Sequence, residues 1–168
     1  MRQAIATVLA GLAVFALTAR AAEVETPLPQ IPGITSEDRF PRACVDCHVN
    51  MPEAGMDVRF STLMRQWYLQ VGPALLAKVQ GTMPASVRLS GRHPRLPETT
   101  FQDVPAQCMT CHGGALANVP SFGPMMHAIH LTGGAENHYL GIFRGECTNC
   151  HKFNSTNGRW TIPSASEN

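Results

Sequence analysis

Three patterns of apolar positions divide this chain. Ala4 to Ala19 form an almost unbroken apolar run behind Arg2, and Ala19-Arg20-Ala21 closes it with a small-x-small site. A charged start, a run too short for a comfortable membrane span and that site together describe a secretory leader. Residues 1–21 are therefore expected to be a cleaved signal peptide, with the mature chain beginning at Ala22. Between Asp57 and Gln80 the spacing becomes helical, with Phe60, Leu63, Met64, Trp67, Tyr68, Val71, Leu75 and Val79 on one recurring face. Gly72-Pro73 interrupts it, because proline removes a backbone donor and crowds the preceding turn, and this predicts two short helices or one with a kink. Phe122 to Leu131 predicts another short helix, stopped by Gly133-Gly134.

Elsewhere turn formers dominate. Residues 22–41 carry Thr26-Pro27-Leu28-Pro29-Gln30-Ile31-Pro32-Gly33 and read as an extended N-terminal segment rather than a domain. Ser86 to Pro105, rich in Pro, Arg and Thr, reads as a loop carrying His93. The expected fold is mainly α with much irregular coil, over a single domain at residues 42–168. Composition adds that 14 Gly and 13 Pro leave little room for a regular core. Thirteen basic against twelve acidic residues show no broad basic face of the kind nucleic acid requires.

The cysteines change the picture. All six lie in three Cys-x-x-Cys-His motifs: Cys44-Val45-Asp46-Cys47-His48, Cys108-Met109-Thr110-Cys111-His112 and Cys147-Thr148-Asn149-Cys150-His151. That spacing reads as covalent attachment of c-type haem. The two thiols reach the two vinyl groups of one porphyrin as thioethers, and the adjoining imidazole becomes an axial ligand of the iron. Structural zinc would pair two Cys-x-x-Cys knuckles and leave a third over, with no use for a histidine after each. A thioredoxin-like motif needs a strand-helix-strand setting that none of the three has. Three disulfides are the plain alternative for an exported chain with six Cys, yet they give no reason for the three histidines. Three porphyrins in so short a chain would supply much of its core, and the chain is not expected to fold without them.

The seven histidines bear on the other face of each iron. His48, His112 and His151 belong to motifs, which leaves His93, His127, His130 and His138 for three distal positions. His127 and His130 are three residues apart, on one face of the predicted helix, and so could give one ligand to each of two irons. Alternatively, one ligates while the other packs beside a propionate or caps the helix. His93 lies in a segment with little other reason for order. His138, in polar company with Glu136 and Asn137, suits a surface role at least as well as ligation. Met51, Met56, Met83, Met125 and Met126 are further possible ligands, though methionine near haem is more often packing material. Arg88, Arg92 and Arg95 form a modest basic cluster that could meet propionates, an acidic partner or only solvent.

Three such motifs with an interspersed Met126-His127-Ala128-Ile129-His130 segment resemble the small multihaem c-type cytochromes of bacterial anaerobic and extracellular respiration. The resemblance implies a polypeptide wrapped around three covalently attached haem c groups. It implies thioethers at Cys44, Cys47, Cys108, Cys111, Cys147 and Cys150, proximal ligands at His48, His112 and His151, and distal ligands at His127 and His130. His93 joins them by counting, and His138 stands in reserve. The expected activity is electron transfer through low-spin, bis-His haems, in the periplasm or beyond it. Donor and acceptor would be redox proteins such as a quinol-linked cytochrome, another multihaem cytochrome or a reductase, with no nucleic acid and no stable membrane span after signal cleavage. Two other classes compete with the carrier. One is an enzyme acting on a small nitrogen or sulfur compound at an open haem, which would lack a distal ligand; the other is a haem-bearing subunit of a larger complex or filament.

Overall fold

A computed structural model describes residues 27–167. The signal peptide expected at residues 1–21, and the first residues of the extended segment, lie outside the described residues. Helices and irregular segments dominate, as the apolar pattern predicts. The periodic stretch is two helices, α2 at Phe60–Leu69 and α3 at Pro73–Gln80, separated at Gly72 with Pro73 opening the second. Proline is suited to that place because a first-turn N–H has no intrahelical partner to lose. The later helix, α5, spans Phe122–Leu131. Three more are short: α1 at Cys44–Cys47, α4 at Ala106–His112 and α6 at His138–Gly141.

Two antiparallel hairpins were not evident in the sequence pattern. β1 (Asn50–Met51) pairs with β2 (Met56–Asp57), and β3 (Lys152–Asn154) with β4 (Arg159–Thr161). Strands of two or three residues are too short to display a period of two. Their turns depend on Gly55 at φ 63° and Gly158 at φ 67°, a region that residues with a Cβ rarely enter.

Sequence-distant contacts hold the helices. The Ser61 N–H at the start of α2 donates to the Glu167 carboxylate at 3.0 Å, so an orphan donor of the first turn meets a negative charge from the C-terminal segment. That segment also bridges Val104 through Ala165 and donates from the Glu167 N–H to the Phe101 carbonyl. At the other end of α5, the Lys78 ammonium donates to the Thr132 carbonyl at 2.8 Å, and the Asn137 amide to the Ile129 and Thr132 carbonyls. Asp38 pairs with Lys152 at 2.9 Å, tying the N-terminal segment to β3.

Little of the packing is fully dry. Among the described residues, Ala43, Val45, Val79, Phe101 and Val104 are the buried apolar side chains beside the buried Pro105 and Pro120. None of α2, α4, α5 or α6 has a fully buried residue. Among the described residues no helix is long and apolar enough to cross a membrane.

Candidate functional site

Each Cys-x-x-Cys-His motif winds through about one helical turn. The first forms α1, with the His48 N–H donating to the Cys44 carbonyl at 2.9 Å. The second lies within α4. The third is a 3-10 turn at Cys147–Asn149, and there the His151 N–H donates to the Cys147 carbonyl at 2.9 Å. One turn carries residues i, i+3 and i+4 to the same side, so both sulfurs and the imidazole of a motif share a face. No two of the six cysteines are joined in a disulfide. Burial pushes the Cys44 thiol up to about 12, with the nearby Cys150 adding to it. The same two causes raise Cys47, which places the first and third motifs close together.

The histidines meet in three pairs, each joining a motif histidine to one from outside the motifs. His48 and His130 have ring centroids 6.2 Å apart, His112 and His93 are 6.1 Å apart, and His151 and His127 are 6.2 Å apart. A metal–imidazole nitrogen bond is about 2.0–2.1 Å and the nitrogen lies about 1.1 Å from the ring centre, so imidazoles on opposite sides of one metal have centroids about 6.3 Å apart. All three pairs match that span. His127 and His130, both on α5, thus belong to different pairs. His138 is exposed at the start of α6 and belongs to none of them.

Hydrogen bonds set the ring chemistry. His48 Nδ1 lies 2.8 Å from the Val58 carbonyl, His112 Nδ1 2.7 Å from that of Pro120, His130 Nδ1 2.9 Å from that of Met126 and His93 Nδ1 2.9 Å from that of Pro94. A carbonyl only accepts, so in each ring Nδ1 carries the proton and the Nε2 lone pair is left for a metal. Burial lowers the pKa of His48 and His93 from the ordinary value, which favours the neutral, ligating form. Among the described residues, no group of three or more His, Cys, Asp or Glu is disposed to hold a metal ion.

Several neighbours carry no local signal in the sequence. Phe60, read only as part of a helical face, stacks on His48 at 4.1 Å with ring planes 25° apart. Tyr139 sets its ring against His130 and its hydroxyl near Cys150. Beside His93 is a cleft of about 610 Å³ lined by Tyr68, Leu69, Ser90, Arg92, His93 and Pro94. Arg95, from the basic cluster, lies over the Tyr68 ring at 4.7 Å. The two backbone bonds that hold the His93 segment, Val71 N–H to the Gly91 carbonyl and His93 N–H to the Trp67 carbonyl, come from the end of α2. Comparison with protein-family models, with curated proteins and with solved structures finds no match for the chain.

Proposed function

We propose that the chain is an exported three-haem c-type cytochrome that carries electrons between redox proteins. The observation that carries this reading is the match of three histidine pairs to three motifs. Each pair has the span of a single metal and contains one histidine that directly follows a Cys-x-x-Cys. The donor set fits haem c: two thiols on one turn for the vinyl groups, and two imidazoles for the axial positions. Iron in the bound porphyrin supplies reversible one-electron chemistry.

The residues of the chain supply geometry and tuning. At His48, His93, His112 and His130, backbone carbonyls on Nδ1 would fix the ring orientations and make the imidazoles stronger donors, which favours the oxidised metal. Filling both axial positions with histidine leaves none for a substrate, which favours a carrier over an enzyme. On α5, His127 and His130 stand one turn apart, so the first and third sites are held near one another, as fast transfer requires.

Electron paramagnetic resonance of the oxidised protein, with intact mass to count haems, tests the reading. Three haems with only low-spin signals are expected. The ring planes cross at 86° for His48 and His130, 18° for His93 and His112, and 52° for His127 and His151. Perpendicular planes leave the iron orbitals that they reach nearly degenerate, whereas parallel planes split them, so three distinct signals should appear, the first site's the most anisotropic. A high-spin signal from about one haem in three would replace the carrier with an open-site enzyme.

A further inference from the structure

Tyr139 touches both sites that α5 serves. Its ring meets His130 edge-on, with centroids 5.5 Å apart and planes at 77°. Its hydroxyl donates to the Glu146 carbonyl, just ahead of the third motif, and its oxygen lies 4.0 Å from Cys150 Sγ. The side is braced as well: the Tyr139 N–H donates to Asn137 Oδ1 at 3.0 Å, and Asn137 also grips the end of α5. Phe143 stacks on the ring at 6.1 Å and in turn meets Phe40.

We propose that Tyr139 is a positioning residue shared by the first and third sites, bracing the His130 imidazole with its ring and setting the electrostatics at Cys150 with its hydroxyl. The inference rests on the three-haem reading and adds a residue to it. The phenol has one proton, and that proton points to the Glu146 carbonyl. Toward the Cys150 sulfur, 4.0 Å away, the oxygen can then present only its electron-rich side. A negative dipole end there stabilises the more positive, oxidised iron of the third haem and lowers its reduction potential.

The two roles separate by substitution. Tyr139→Phe keeps the ring and removes the dipole, so in a spectroelectrochemical titration of the full-length, haem-loaded protein one potential should rise while the other two hold. Its paramagnetic resonance signal for the His48 and His130 site should be unchanged. Tyr139→Leu removes the ring too, and should also alter that signal. A wild-type protein lacking three haems would overturn the haem reading itself. Three haems with unmoved potentials in Y139F, or with all three moved alike, would overturn the role of Tyr139 alone.

Discussion

At the scale of single residues, the six paired histidines and one alanine make the strongest demands. On the proposed three-haem reading each pair serves one motif, so His130→Ala should render one haem high-spin, and the haem should be the one attached at Cys44 and Cys47. In a protein already carrying Cys44→Ala and Cys47→Ala, the same change should add no high-spin signal, because the two substitutions act on one site. If it added the full signal there, His130 would serve another iron. Ala43 precedes the first motif at φ 51°, in a region that β-branched residues scarcely tolerate, and it is 1% exposed. Ala43→Val should therefore cost about 1–3 kcal/mol in chemical denaturation from strain and overpacking. The motifs are legible from the sequence because each is a local spacing of five residues. The pairing is not, because His48 and His130 come from distant parts of the chain and nothing near either one names the other. Tyr139 was missed for the same reason, since its contacts lie with α5 and the third motif rather than with its neighbour His138.

At the scale of elements, the apolar spacing showed α2, α3 and α5 and the break at Gly72-Pro73, since helical periodicity is repeated over several turns. The two hairpins were silent, being shorter than the pattern needed to reveal them. Among the helices α5 matters most, and its C-terminal carbonyls are met by Lys78 from α3. A cation at that end complements the helix dipole and satisfies a carbonyl the helix cannot. Lys78→Met should lower stability by about 1 kcal/mol at low salt, read by urea denaturation. On the proposed reading α5 carries a ligand to two sites, so low-spin absorbance should be lost from those two before the His93 site as denaturant rises.

At the scale of the molecule, the few apolar side chains buried among the described residues are too small a core to offset the entropy of ordering them. A variant with all six cysteines changed to alanine should show no cooperative thermal transition, whereas the loaded protein should. The acid limb of stability has an identifiable contributor in Asp38. Partial burial would raise its pKa, but the hydrogen bonds from Lys152 and the Phe40 N–H outweigh that, and the net effect is a lowered value. The folded form thus binds the proton less readily than the unfolded chain. The contribution is complete above the ordinary carboxylate value of about 3.9 and is lost as pH falls through the lower folded value. Asp38→Asn should flatten the slope of stability against pH in that acid window, measured by denaturation at a series of pH values.

The three pairs also differ in how much chain each one encloses. His93 and His112 are joined by a short stretch, and so are His127 and His151, whereas His48 waits for His130 across most of the described sequence. Closing a longer loop costs more entropy, and a chain delivered N-terminus first offers His48 long before its partner exists. If the proposed haem reading holds, maturation has a built-in order: the middle site can be completed early, the first motif is the earliest to appear, and its second histidine arrives only with α5. On the three-haem reading the first iron would therefore be the one open longest to stray ligands, and only the third site, whose motif follows His130 in the chain, would close after it.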